Sequence, residues 1–180
     1  TEQTSELSNQ SLVKRLSQKE DLALRKALQW SLKVNEAIEA SQDLAKPFPN
    51  VKEGLKYLHT VGKVIIVSSA NEEAVKAEWQ RHDLLAEVDE LYCQNHGKKA
   101  DIIKRQLENG FVNKKVLMIG DAPGDLAAAE KNNVYFYPIL VNHEAESWTN
   151  ISKEISKFID GNYKESFEQN IASFWNNLNI

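Results

Sequence analysis

The sequence predicts an α/β protein: a parallel sheet with helices on both faces, a helical segment ahead of it and a helical tail behind it. Two observations carry this expectation. Val64-Ile65-Ile66-Val67 and Val116-Leu117-Met118-Ile119 are continuous apolar runs, the pattern of parallel strands buried on both faces. The segments around them place apolar residues at helical spacing and are joined by short connections, and such alternation builds a parallel sheet.

The elements follow in order. Residues 1–10 are polar and read as a frayed end. Residues 19–44 read as one long helix, in which Leu24, Leu28 and Leu32 recur every four positions beside Ala27, Ala37 and Ile38. Pro47 and Pro49 stop it, and the stretch 46–50 reads as a linker, so the chain divides into 1–46 and 47–180. A helix over 51–61 sets Val51, Leu55 and Leu58 on one face. After the strand at 64–67 comes a helix over 72–82, with Trp79 as a packing residue, and then a short strand at Glu90-Leu91-Tyr92-Cys93. A helix over 99–109 brings Ile103 and Leu107 onto one face, with Gly110 just past its end in the position that favours glycine. Beyond the strand at 116–119, an Ala-rich helix over 124–132 ends near Asn132-Asn133, and Val134-Tyr135-Phe136-Tyr137 is a further strand. The tail, 144–180, is helical, with Trp148, Phe158, Phe167, Phe174 and Trp175 as packing residues.

Composition excludes several classes of function. The 180 residues suffice for one domain with a real core and a small appendage. A net charge of -4 gives no support to an extended nucleic-acid surface. Cys93 is the single cysteine, so no internal disulfide can form, and it reads as a core residue. No apolar run approaches the ~18 residues of a membrane span, and the first residues are too polar for a signal peptide. The expectation is therefore a soluble cytoplasmic protein with neither a nucleic-acid nor a membrane partner. His59, His82, His96 and His143 are scattered without metal-ligand spacing. The chain begins at Thr1 without Met, so its first residue need not be the start of the natural product.

In parallel α/β sheets, ligands bind beyond the carboxyl ends of the strands. That rule picks out Ser68-Ser69-Ala70-Asn71 and Gly120-Asp121. Pro123 and Gly124 supply a tight turn that lets Asp121 and Asp125 converge. Such a pair suits Mg²⁺, which takes one or two protein carboxylates and completes its shell with water and substrate phosphate. The same spacing equally suits a turn residue followed by an acid at a helix N-terminus. The Ser68 hydroxyl can grip a phosphate oxygen or cap the helix at 72–82, although Asn71 is better placed for the cap. Lys98 and Lys99 open a helix against its dipole, which points to a function as readily as to a solvated pair.

Taken in order, Val-Ile-Ile-Val-Ser68, Lys99 and Gly120-Asp121-Ala-Pro-Gly-Asp125 resemble motifs II, III and IV of the haloacid dehalogenase superfamily, over about residues 47–141. The resemblance implies a Rossmann-like core and a Mg²⁺-dependent phosphohydrolase acting on a small phosphorylated metabolite. It implies that Ser68, with Ser69 beside it, binds the phosphoryl group. It implies that Lys99, in preference to Lys98, steadies that group and the nucleophile, and that Asp121 and Asp125 hold Mg²⁺. Residues 1–46 would be the remainder of a helical cap.

The same resemblance implies a first strand ending in Asp-x-Asp-x-Thr, lying at the sheet centre between the strands at 64–67 and 116–119. Its first Asp attacks phosphorus and its second is the general acid/base. The sequence contains no such run: Glu20-Asp21 and Gln42-Asp43 lie in helical sequence. The expectation is therefore a C-terminal portion of a longer protein, its sheet completed by an N-terminal segment or by another chain. The alternative is a catalytically inactive relative kept for binding or assembly. A receiver-like phosphate domain is a third reading, against which the helical start argues.

Overall fold

A computed structural model of the chain describes residues 9–41 and 46–178. The chain divides into two compact units between Lys46 and Pro47. In the first unit, helix α1 (Asn9–Gln18) packs on helix α2 (Leu22–Ser41). Part of the stretch expected to fray is thus helical, while residues 1–8 lie outside the described residues. Leu12 and Leu16, one turn apart on α1, are its half-buried apolar residues, and the polar sequence around them hides this short period. The long helix expected over 19–44 begins later, at Leu22. Asp21 Oδ1 accepts the backbone N–H groups of Ala23 and Leu24, which fixes the helix start there. Along α2, Leu24 and Leu28 are half-buried, whereas Leu32 is exposed. Residues 42–45 and the side chain of Ile38 lie outside the described residues.

The second unit opens with α3 (Val51–Val61), anchored at its start by Asn50, whose side-chain amide donates to Thr149 Oγ1 at 2.9 Å. The elements β1 (Ile65–Val67), α4 (Glu72–Arg81), β2 (Glu90–Tyr92) and α5 (Lys99–Glu108) follow. Then come β3 (Leu117–Gly120), α6 (Pro123–Lys131), β4 (Tyr135–Pro138), α7 (Glu144–Ile159) and α8 (Tyr163–Leu178). Local chemistry sets most of the boundaries. Asn71 Oδ1 accepts from the Glu73 and Ala74 N–H groups and caps α4. Gly110, at φ 104°, leaves α5 in the left-handed conformation, and Asn133, at φ 52°, does the same after α6. No helix among the described residues is long and apolar enough to cross a membrane.

The strands form two small parallel sheets, giving a mixed α/β architecture. β1 pairs with β2, with Ile66 opposite Leu91, and β3 pairs with β4, with Met118 opposite Phe136. Among the described residues no strand pairing joins one sheet to the other, so these strands alone do not make the continuous sheet that the resemblance implies once its central strand is present. Among the described residues each of the four strands has a strand neighbour on one side only. Their burial differs nonetheless: no residue of β1, β2 or β3 is fully buried, whereas β4 buries Phe136, Tyr137 and Pro138. The apolar runs at 65–67 and 117–119 have the composition of doubly covered strands but are only half-buried.

Two-stranded sheets are marginal alone, so the helices carry the core. One face of β3–β4 packs Phe136 with Ile103 of α5, Leu126 and Ala129 of α6, and Phe174 of α8. The other face packs Tyr137 with Ile151 and Ile155 of α7 and with Tyr163. A third cluster joins Val51 and Leu55 of α3 to Leu84, with Val64 and Trp79 against it. Trp148, Phe158, Phe167 and Trp175 pack against the first two clusters, as their placement in the tail predicts. Helices α3 and α7 meet at Gly54, where a Cβ would lie 2.6 Å from the Trp148 ring, so only glycine permits this approach.

The β1–β2 unit depends on carboxylates that the β3–β4 unit does not use. Asp89 Oδ2 accepts the Val64 N–H at 2.7 Å, and this bond lowers the Asp89 pKa. Glu90 is held below its ordinary value by Lys63, whose Nζ lies 2.5 Å away, and by the Tyr92 hydroxyl. Glu72 is lowered by Lys76 and Asn95. A depressed folded-state pKa stabilises the fold above the unfolded value, and that contribution is lost as pH falls through the folded one. Amide exchange in β1 and β2 should therefore accelerate on going from pH 6 to below about pH 4, relative to β3 and β4. Equal protection changes in the two sheets would contradict this.

Candidate functional site

The carboxyl ends of the strands are brought together by two sets of contacts. The first ties β1 to β2. The Ser68 N–H donates to the Tyr92 carbonyl at 2.8 Å, and the Gln94 N–H donates to the Ala70 carbonyl at 3.1 Å. The loop ending β1 and the loop ending β2 therefore lie side by side. The second set crosses to the other sheet. α5 begins at Lys99, shortly after β2, and Lys99 Nζ lies 2.5 Å from Asp125 Oδ1 in the turn after β3.

Asp125 is the most constrained group of the site. Its side chain is 3% exposed. Oδ1 takes Lys99, and Oδ2 accepts the Ala122 N–H at 3.2 Å, one of the free donors at the start of α6. The carboxylate thus sits between the positive end of the helix dipole and an ammonium group. The placement requires glycine at position 120. A Cβ on Gly120 would lie 2.5 Å from Asp125 Cγ and 2.6 Å from its Cβ. The Gly-Asp at the strand end is thus a steric requirement as well as a pair of chemical groups.

The other residues singled out from the sequence fall as follows. Asp121 is exposed, and its carboxylate makes no hydrogen bond or ion pair with any described residue. Lys98 is exposed at the residue before α5, while Lys99 is half-buried. Ser68 is half-buried, and its Oγ accepts the Ala70 N–H at 3.1 Å, which leaves the hydroxyl proton free to donate. Ser69 is exposed. Cys93 is fully buried, and burial pushes its thiol pKa up, which suits an inert core residue and not a nucleophile.

Sequence reasoning missed a polar cluster on the same rim. Glu72, at the first position of α4, accepts from Asn95 Nδ2 at 3.1 Å and lies 3.8 Å from His96 Nδ1. These residues are far apart in the chain and match no motif spacing, so only the pairing of the two loops brings them together.

Because Gly120 and Asp125 share one space, Gly120→Ala should displace the carboxylate and break its contact with Lys99. The expected loss is about 4 kcal/mol of unfolding free energy, combining overpacking with a buried charge deprived of its partner. Urea denaturation of the two proteins measures it, and an unchanged midpoint would show that the turn relaxes freely.

Comparison with known proteins adds the family. No curated protein and no solved structure matches the chain. The family model for haloacid dehalogenase-like hydrolases matches residues 1–139, a span that contains Ser68, Lys99, Asp121 and Asp125. The chain belongs to the haloacid dehalogenase-like hydrolase family.

Proposed function

We propose that this chain carries the phosphate-binding and Mg²⁺-binding part of a phosphohydrolase site that acts on a small phosphorylated metabolite. The contact between Lys99 and Asp125 is the observation that carries the reading, because it sets an ammonium group at the mouth of β3 beside the uncommitted carboxylate of Asp121. In this reading the Ser68 hydroxyl, with Ser69 next to it, donates to a phosphoryl oxygen. Lys99, steered by Asp125, balances the phosphoryl charge.

Asp121 and Asp125 would hold Mg²⁺. Two carboxylates suit an ion that draws its other ligands from water and phosphate. Asp125 offers only the capacity left over from Lys99 and Ala122, so Asp121 is the principal ligand. Among the described residues, no group of three or more His, Cys, Asp or Glu side chains could hold a metal, so the remaining ligands would come from outside them. The bound ion would supply charge neutralisation at the phosphate.

The nucleophile comes from elsewhere in this reading. A strand parallel to β1 and β3, apolar on both faces and ending in Asp, would lie between them and complete one Rossmann-like sheet. It would be contributed by a segment outside residues 1–180 or by another chain. By family resemblance, its Asp would attack phosphorus, expel the alcohol leaving group and form an aspartyl phosphate that water hydrolyses. Residues 1–46 would belong to a helical cap. The second reading, an inactive relative kept for binding or assembly, is favoured by the missing Asp-x-Asp-x-Thr run and by the unpaired edges of β1 and β3.

Two measurements test this. Residues 1–180 alone should release no phosphate from an aryl phosphate in the presence of Mg²⁺, and robust Mg²⁺-dependent turnover would overturn the assignment of the nucleophile to another strand. Mn²⁺ added as a paramagnetic probe should broaden the amide signals of residues 119–126, and Asp121→Asn should abolish the effect. Absence of broadening there would favour the non-catalytic reading.

A further inference from the structure

We infer that the cleft between α7 and α8 is a second binding site, for a small, neutral, polyhydroxylated molecule. The cleft has a volume of about 630 Å³, and its floor is Tyr137 and Pro138 at the end of β4. That size is typical of small-molecule pockets, and a groove between helices of one bundle is a common setting for them. None of Ser68, Lys99, Asp121 and Asp125 lines it, so the inference is independent of the proposed phosphatase chemistry.

The walls are held in place. Asn177 clamps Val141 through both backbone groups, accepting its N–H at 3.0 Å and donating to its carbonyl at 3.1 Å. The Tyr137 hydroxyl donates to the Ser147 carbonyl, and Asn170 Nδ2 donates to the Tyr163 hydroxyl. The cleft is therefore preformed, which lowers the cost of ligand binding.

Its rim offers polar groups open to solvent. Asn150, Ser173 and Asn176 line the cleft as exposed residues, and their side chains make no hydrogen bond with any described residue, so a ligand competes only with water for them. Glu154 also lines it. One of its oxygens receives Lys157 Nζ at 2.6 Å, while Oε2 is buried without a partner. A buried carboxylate oxygen without a donor is costly, and few native groups are left so.

Charge decides the ligand class. Lys153 on the wall and Lys157 beside Glu154 disfavour a cation, and Glu146 and Glu154 disfavour an anion. Amide and hydroxyl side chains both donate and accept, as hydroxyl groups of a polyol do. A neutral ring or chain bearing several hydroxyls is the class that satisfies all of them.

Titration of the ¹⁵N-labelled 180-residue chain with D-glucose and myo-inositol tests the inference, with spermidine and sulfate as charged comparators. Saturable shifts confined to α7, α8 and the end of β4 are expected for one of the neutral probes, at about millimolar affinity. The double variant Asn150→Ala, Asn176→Ala should weaken that binding about tenfold through the loss of two neutral hydrogen bonds. Its Tm should stay unchanged, because neither side chain bonds within the protein. Non-saturating shifts with both neutral probes, tighter binding of spermidine or sulfate, or an unaffected double variant would each overturn the inference.

Discussion

The position of one buried carboxylate governs the candidate site. Asp125 cannot stand in its place unless residue 120 lacks a side chain, and once there it must find donors on both oxygens. It finds them in the first turn of α6 and in Lys99 at the start of α5. The contact therefore joins three elements: the end of β3, the helix that follows it, and a helix that follows β2 in the other sheet. An uncompensated carboxylate at this depth would cost several kcal/mol, which makes the arrangement close to all-or-none.

The two sheets pose a different constraint. Each consists of two short strands, too little to persist alone. The β3–β4 sheet is the better covered, by α5, α6 and α8 on one side and α7 on the other. The β1–β2 sheet has no fully buried residue and leans on polar contacts: Asp89 to the Val64 amide, Lys63 to Glu90, and Gln106 to Glu90 and Tyr92. Apolar strands with one unpaired edge are a familiar liability, because their free backbone groups invite another strand. Here that liability coincides with the position where the resemblance puts a nucleophile strand.

Most of the element pattern was legible from the sequence, because each signal is local. The β-branched run at 64–67, the Ala-rich stretch after Pro123, the cap at Asn71 and the glycine after α5 each act within a few residues. The misreadings were also local in origin. α1 was hidden because Leu12 and Leu16 give only one turn of apolar period in a polar stretch. The start of α2 is set by Asp21, which caps it from a position inside the helix that the leucine spacing predicts. β4 begins one residue later than its apolar run, since its register is imposed by Leu117 opposite Tyr135.

By itself, the sequence determined the residue types at the strand ends, their order along the chain and the match to the family over residues 1–139. Those are properties of short segments, encoded by composition and spacing. Tertiary structure alone decided which lysine meets Asp125, that Gly120 is required by the volume of a side chain five residues on, and that Glu72, Asn95 and His96 share a rim. It also decided that the strands form two sheets and not one. Strand pairing and charge pairing are contacts between distant segments, and their outcome depends on which partners are present in space, a fact that no local pattern of residues records.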